Sequence, residues 1–373
     1  MHILLAAGGT AGHINPALAA AQRLLHSHPD CKISYIGNRA GMEARLVPQA
    51  GIHFYPIDVA GFQRKLSLEN IKRNVDAFYK MFASTKQAER LLRELKPDVA
   101  VGFGGYVSGP VIRKAAKMGI KTATHEQNAF PGMTTKALSK LVDVVMLAMP
   151  EAQRYLPAGK RYVHTGNPVR QPVLDATRSS ARKALGIPED ALMLLSFGGS
   201  LGARRINEAV AELLAWHKGK YYHYHAIGKY GMDWMPALLR EKGVDYPHIP
   251  TLRITEYIND MDRCMAAADL VVCRAGAITL AELQAVGKPS ILIPSPNVAE
   301  NHQYYNAKTL ADKNAAVLIE EKELTGQGLI ETVKQLFENP KKLAQMGKNA
   351  ARDAVLDANE RIYRVLMELY ASR

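Results

Sequence analysis

The sequence predicts an α/β protein of two similar halves, each built on a doubly wound parallel sheet. Three observations carry that expectation. Short apolar runs of strand type alternate with segments of helical periodicity, the order that produces parallel βαβ units. A strand, a glycine-rich turn and a helix near the start are echoed in order and spacing by a second set from residue 193. At 373 residues the chain exceeds what one hydrophobic core ordinarily holds, and about 150 residues per domain gives two domains.

Residues 3–7 form the first apolar run, and Gly8 to His13 is the glycine-rich turn before a helix with Ala17, Leu18, Ala21, Leu24 and Leu25 on one face. The turn is neither G-x-G-x-x-G nor a Walker A motif. Residues 33–36 and 54–57 give the next strands, with a helix around 42–49 between them. From Gly61 to Leu95 the pattern is helical, and Val75, Phe78, Tyr79 and Phe82 fall on one apolar face. Arg64, Lys65, Lys72, Arg73, Lys80 and Lys86 surround that face, which suits either the domain's own core or an anionic membrane surface. Residues 99–103 make a strand that opens into Gly104 to Pro110, and 121–124 make another that ends in His125-Glu126-Gln127-Asn128. Polar residues after strand ends mark the crevice where open α/β sheets bind ligands. Residues 142–147 close the first half, and Pro150, Pro157, Pro168 and Pro172 read as the linker between domains.

In the second half residues 193–197, the turn Gly198 to Ala203 and a helix over 206–214 repeat the opening plan, with further strands at 222–227, 252–255 and 270–273. The stretch 269–303 is the most informative. The strand at 270–273 meets small residues, Ala275 to Ala277, before a helix marked by Ile278, Leu280 and Leu283 and ended by Gly287. Such a turn aims the backbone N–H groups of a helix start above the sheet, a setting for an anion such as a diphosphate. Residues 290–293 follow as a strand stopped by Pro294 and Pro296, and a polar loop ends in Asn301-His302-Gln303. Thr279 and Glu282 stand at capping-box spacing, so Glu282 has two readings here, a helix cap or a ligand group. A final amphipathic helix covers about 359–371.

Composition sets the outer bounds. Hydrophobic residues make up 47% and charged residues 22%, the usage of a globular protein. The net charge of +13 points to polyanionic company: nucleic acid, anionic lipid or phosphorylated substrates. Cys31, Cys264 and Cys273 are widely spaced and read as buried thiols in a reducing compartment. The N-terminus reads as a strand rather than a signal peptide, and no run has the roughly 18 apolar residues that span a bilayer, so membrane contact is expected to be peripheral.

The motifs GGTAGHINPALA (Gly8 to Ala19), GFGGYVSGP (Gly102 to Pro110), HEQNAFPG (His125 to Gly132), TGNPVR (Thr165 to Arg170), FGGSLGARRIN (Phe197 to Asn207) and CRAGAITLAEL (Cys273 to Leu283) run from end to end. With them the chain resembles glycosyltransferase family 28, and specifically its peptidoglycan N-acetylglucosaminyltransferases. That resemblance implies a GT-B fold, two facing Rossmann-like domains: residues 1–160 joined by the helix at about 357–373 on the acceptor side, and 161–356 on the UDP-sugar side. It implies inverting transfer of N-acetylglucosamine from UDP-N-acetylglucosamine to the muramic acid 4-hydroxyl of lipid I, with no cofactor, no metal and no nucleic acid.

The resemblance also assigns residues. His13 matches the family's proposed general base, with Glu126 as the second candidate. Thr10, Ala11 and Gly12 would line the sugar and diphosphate, Asn128 the transferred sugar, and Arg170 and Ser200 the diphosphate. Glu282 would hold the ribose, the backbone of Ile258 the uracil and Gln303 the sugar hydroxyls, with Ala277, Ile278, Thr279, Leu280 and Ala281 beside the nucleotide. Tyr106 and His125 are assigned to the acceptor. Lys72, Val75, Phe78, Tyr79 and Phe82 are assigned to a membrane-facing patch on the cytoplasmic leaflet. The family usually has glycine where Ala11 stands, which bears on how closely the donor approaches there.

Three rival readings stay in view. A dinucleotide-dependent oxidoreductase would place an acidic residue at the end of the second strand, where Gly37-Asn38-Arg39 stand instead. A GT-B enzyme for another lipid, such as diacylglycerol, or an idle nucleotide-binding protein would keep the fold and differ at the acceptor motif or the intact polar set. Asp260-Met261-Asp262 spells a D-x-D metal motif, but Asp260 opens a helical pattern and reads better as an N-cap.

Overall fold

The computed structural model describes residues 1–59 and 83–373. The apolar stripe Val75, Phe78, Tyr79 and Phe82 and the basic residues Arg64, Lys65, Lys72, Arg73 and Lys80 lie outside the described residues. The chain divides into two compact units, Met1–Pro168 with Asp357–Arg373, and Val169–Leu356.

The first unit carries seven parallel strands: β1 (His2–Ala6), β2 (Lys32–Asn38), β3 (His53–Ile57), β4 (Val99–Gly102), β5 (Lys121–Glu126), β6 (Val144–Leu147) and β7 (Tyr162–His164). Their order is β3-β2-β1-β4-β5-β6-β7. Parallel strands are covered on both faces, and β1 shows why its sequence is continuously apolar. Ile3 and Leu5 face a core shared with Ile362, Val365, Leu366 and Leu369 of the C-terminal helix Ala358–Ala371. Leu4 and Ala6 face the opposite core with Val107, Val111 and Leu147.

The second unit has six parallel strands: β8 (Met193–Phe197), β9 (Tyr222–Ala226), β10 (Leu252–Thr255), β11 (Leu270–Cys273), β12 (Ser290–Leu292) and β13 (Ala316–Leu318), in the order β10-β9-β8-β11-β12-β13. In both sheets the winding reverses beside the first strand, between β1 and β4 and between β8 and β11. Those are the switch points whose carboxyl-side crevices receive ligands. The two Rossmann-like sheets match the expected fold class.

Several local expectations need correction. β5 extends through Glu126, so His125 and Glu126 are strand residues and not part of the loop beyond it. The proline-punctuated stretch expected as linker contains a short 3-10 helix, Pro150–Tyr155, and β7, which joins the first sheet at its edge. Strands β7 and β13 are three residues long and only partly buried, and neither is among the strands expected from the sequence, although β13 lies in the apolar run 315–319. Thr279 does not begin a helix: it lies inside Ala277–Ala285, whose N-cap is Gly276, and no capping box forms. Asp260 does occupy an N-cap position, but its carboxylate makes no capping bond and instead takes a two-pronged ion pair from Arg253 at 2.8 and 2.9 Å. All three cysteines are unpaired and buried.

The second unit also buries a chain of histidines that the sequence did not announce. His217 Nε2 lies 3.1 Å from His223 Nδ1, and Ser196 Oγ lies 2.7 Å from both His223 Nε2 and His225 Nδ1. Burial holds His217 and His225 down to about 4 and His223 well below its ordinary value. An unfolded histidine takes up its proton near 6.5, so between about 6.5 and 4 the unfolded chain binds more protons than the folded one. The stability of this unit is therefore complete above pH 6.5 and falls as pH drops toward 4. Both tryptophans, Trp216 and Trp234, sit in this unit, so urea unfolding followed by tryptophan fluorescence reads it selectively. The urea midpoint should drop between pH 7 and pH 5, and a flat profile would contradict the neutral-histidine account.

Candidate functional site

In the first unit the carboxyl side of the switch point is made of two interlocked glycine turns. After β1 the chain turns at Gly8 and Gly9, and His13 lies in the first turn of the helix Ala11–Ser27. His13 Nδ1 is 3.2 Å from the Gly8 carbonyl and 3.2 Å from Thr10 Oγ1. A carbonyl only accepts, so Nδ1 carries the proton and the basic lone pair falls on Nε2. After β4, Gly104 and Gly105 adopt φ of +96° and +79°. A Cβ at Gly104 would stand 2.6 Å from the His13 ring, and one at Gly105 would stand 2.2 Å from the Gly8 carbonyl oxygen. Only glycine permits both the conformation and the approach.

Buried side chains hold these turns. Ser108 Oγ takes the Gly104 N–H at 3.0 Å and faces the carbonyls of Ala6 and Gly104 at 2.6 and 2.7 Å, one of which receives its proton. Glu43, fully buried at the start of the helix Glu43–Gln49, accepts the N–H of Gly9 and that of Asn38. Sequence reasoning missed both residues. The signal for Glu43 is a set of three glycines, Gly8, Gly37 and Gly41, at each of which a Cβ would collide with its side chain.

The polar set after β5 divides by burial. Glu126 is 3% exposed and accepts three bonds, from Asn128 N–H, Asn128 Nδ2 and Gly132 N–H, at 3.0 to 3.1 Å. Its carboxylate orients Asn128 and fastens the turn. His125 is fully buried, with Nε2 on the Gly166 carbonyl and Nδ1 facing the Gln127 amide, both at 3.0 Å. Burial pushes it down to about 4, against the pull of the Gly166 carbonyl, so it is neutral and enclosed within the fold. Tyr106, by contrast, is 56% exposed in the first turn of the helix Gly105–Lys117.

The second unit presents a different face at its switch point. The turn after β8 uses Gly199 and Gly202 at φ of +94° and +85°, and leaves Ser200 exposed. A Cβ at Gly228 would stand 2.0 Å from Gly202 N, so this turn is pressed against the one after β9. After β11 the helix Ala277–Ala285 starts at Gly276 without a side-chain cap. Of the residues expected beside a nucleotide, Ile278, Thr279 and Ala281 are partly exposed, whereas Ala277 is buried and Leu280 points wholly into the core, leaving it only its backbone for a ligand.

Glu282 is 6% exposed and its Oε1 receives Arg170 Nε at 2.8 Å, while the Arg170 side chain stays about half exposed. With the helix already begun at Ala277, the cap reading of Glu282 does not hold. Ile258 is buried just beyond β10, and Gln303 Oε1 accepts the Ser295 N–H at 2.9 Å, which ties the loop after β12 to the helix His302–Ala311. Arg274, also missed from sequence, donates to the carbonyls of Ile293 and Pro294 and pairs with Glu321. A helix start, a small-residue turn and an arginine held by a buried carboxylate form a setting for a phosphate and for a diol.

Comparison with known proteins follows the same division. The model of the glycosyltransferase family 28 N-terminal domain matches residues 3–147, and that of its C-terminal domain matches 193–362. The UDP-N-acetylglucosamine--N-acetylmuramyl-(pentapeptide) pyrophosphoryl-undecaprenol N-acetylglucosamine transferase of Acetivibrio thermocellus is 44% identical, over 100% of this chain and 99% of the relative. The like-named protein of Desulforudis audaxviator is 43% identical over 97% and 98%. Among solved structures, MurG of Acinetobacter baumannii superposes with a TM-score of 0.79 at 32% identity, covering 98% of this chain and 99% of that one.

The glycine turns give a test that needs no ligand. Gly9 has φ of +89° but open space where a Cβ would go, whereas Gly105 has φ of +79° and a backbone oxygen 2.2 Å away. Gly9→Ala should cost about 1 to 2 kcal/mol of stability from conformation alone. Gly105→Ala should cost clearly more in the same chemical denaturation experiment, because backbone has to move. Equal losses would mean that the two turns are not in contact.

Proposed function

The chain belongs to glycosyltransferase family 28, and from that membership we propose how its residues divide the work of one transfer. The enzyme moves N-acetylglucosamine from UDP-N-acetylglucosamine to the undecaprenyl-linked muramoyl-pentapeptide, lipid I, and forms lipid II for the cell wall. The observation that carries this reading is the 44% identity over the whole chain with a curated transferase of that activity.

The muramic acid 4-hydroxyl attacks the anomeric carbon, the bond from that carbon to the diphosphate breaks, and the configuration inverts. His13 Nε2 takes the hydroxyl proton. The interlock of Gly8 with Gly105 and of His13 with Gly104 supports this role, because it fixes the ring and its protonated nitrogen before substrate arrives. Charge developing on the leaving UDP falls to the helix start at Gly276, to Ser200 and to Arg170, which is held ready by Glu282. Glu282 binds the ribose hydroxyls with the acceptor capacity Arg170 leaves, the backbone near Ile258 reads the uracil, and Asn128, oriented by Glu126, and Gln303 bond the sugar. Thr10 and Gly12 line the sugar and diphosphate, and exposed Tyr106 meets the acceptor.

Incubation of labelled UDP-N-acetylglucosamine with lipid I and with diacylglycerol tests the reading: only lipid I should be labelled, and labelled diacylglycerol would overturn it. In the same assay His13→Ala should lower turnover by about 10²- to 10⁴-fold with donor affinity nearly unchanged. Glu282→Ala should do the reverse, weakening donor binding by about 1.5 to 3 kcal/mol with a smaller effect on saturated turnover.

No helix among the described residues is long and apolar enough to cross a membrane, while the acceptor of the named relatives is anchored in one. A net charge of +13 supports peripheral attachment to the anionic cytoplasmic face through the basic stretch around Lys72 and Lys80. Reversal of both to Glu should release the enzyme from anionic vesicles and slow transfer to vesicle-borne lipid I, yet spare a short-chain soluble acceptor. Equal losses on both acceptors would place the docking face elsewhere.

A further inference from the structure

We propose that Glu43 is a positioning residue that acts on His13 through one peptide unit; this rests on His13 being the base. Glu43 Oε2 accepts the Gly9 N–H at 3.3 Å, and the carbonyl of the very same peptide, that of Gly8, faces His13 Nδ1 at 3.2 Å. The N–H and C=O of a trans peptide point opposite ways, so one planar unit bridges carboxylate and imidazole. The second carboxylate oxygen is anchored independently by the Asn38 N–H at 2.9 Å.

The surroundings are shaped to this one side chain. A Cβ at Gly8 would lie 2.1 Å from Glu43 Oε1, one at Gly41 2.3 Å from Oε2, and one at Gly37 2.7 Å from Cγ. A glycine at each of three places, drawn from two separate turns and a strand, keeps a cradle open for a fully buried acid. Nothing in the packing of an apolar core calls for such an acid. Other groups face the relay. Thr10 Oγ1 shares His13 Nδ1 at 3.2 Å, and Tyr35 of β2 keeps its phenol proton, raised by burial and then by the charge of Glu43. The loop after β4 brings the backbone of Gly104 and Gly105, and the ion pair of Arg39 with Asp58 is largely exposed, with Asp58 also bonded to the Gln87 amide.

The chemistry follows from charge. When His13 Nε2 receives the acceptor proton, the new positive charge is shared with Nδ1–H. A peptide whose N–H is bonded to an anion carries more negative charge on its oxygen, so the Gly8 carbonyl stabilises the imidazolium more strongly than an ordinary one would. The carboxylate of a serine-protease triad does this in direct contact with its histidine; here a peptide stands between them. Glu43 takes no proton. The proton moves from acceptor hydroxyl to Nε2 and leaves to solvent after UDP departs.

The test is a ring-labelled NMR titration of His13 in the full chain, read beside steady-state kinetics over pH. Glu43→Gln keeps an oxygen acceptor but removes the charge, so His13 should titrate lower by about half to one pH unit. The acid limb of the kcat profile should move down by the same amount, turnover at neutral pH should fall roughly threefold to tenfold, and KM for UDP-N-acetylglucosamine should hold. Glu43→Asp, which keeps the charge at a longer distance, should shift both readouts less and in the same direction, and it carries the test alone if Glu43→Gln does not fold. A His13 titration unchanged in the variants, or a loss confined to KM, overturns the relay. Near-normal turnover of His13→Ala would instead remove the base on which the relay depends, whatever the titration shows.

Discussion

The structure depends on close approaches between glycine turns at the carboxyl ends of neighbouring parallel strands. In the first unit the approach lies between β1 and β4, at the switch point itself, where Gly104 and Gly105 press against His13 and the Gly8 carbonyl. In the second unit it lies between β8 and β9, where Gly228 meets Gly202, on the side away from the switch point. The same sheet order therefore yields two different faces. One has a histidine locked against backbone, suited to moving a proton. The other keeps a helix start and an arginine beside β11, suited to holding an anion.

Turns this tight leave backbone N–H and C=O groups turned inward, where they need partners. The partners are polar side chains placed at the turns: buried Glu43 and Ser108 in the first unit, and in the second buried Asn207 on the Ile227 carbonyl and part-buried Arg274 on those of Ile293 and Pro294. Glu126 serves the turn carrying Asn128 in the same way. Each such bond contributes only about 1 kcal/mol net, but loss of one partner leaves a buried group unsatisfied. The turns are stiff for that reason, and stiffness before binding is what a site for developing charge requires.

Fully buried central strands were legible to the residue. Met193–Phe197 and Leu270–Cys273 have the bounds their composition predicts, because burial on both faces writes itself into every position. Leu252–Thr255 matches its expected bounds too, although only Leu252 in it is buried. The edge strands β7 and β13 were not legible: β7 is a three-residue strand with a tyrosine and a histidine beside its one valine, and β13 is equally short although it lies in the apolar run 315–319. Spacing misled at Glu282, where T-x-x-E looked like a cap but the helix had already begun at Ala277, three residues after Arg274 closed the strand turn. Motifs led to His13, Arg170, Ser200 and Glu282, but not to Glu43, whose partners Gly9 and Asn38 belong to different turns. A role created by spatial convergence has no local pattern to read.

The histidines show how burial, not residue type, assigns work. The chain has 12 of them. His125, His217, His223 and His225 are walled in, and desolvation keeps them neutral far below physiological pH, so none can accept a proton during turnover. They serve as neutral donors and acceptors within the fold, as His125 does between Gly166 and Gln127. A base has to become charged at modest cost, which requires partial exposure on one nitrogen and a fixed acceptor on the other. His13, the base proposed above, is only partly buried at the mouth of the first switch point, and its Nδ1 is anchored to a carbonyl whose own peptide is held by Glu43. The fold thus separates its histidines by depth, and the glycine turns decide which depth His13 occupies.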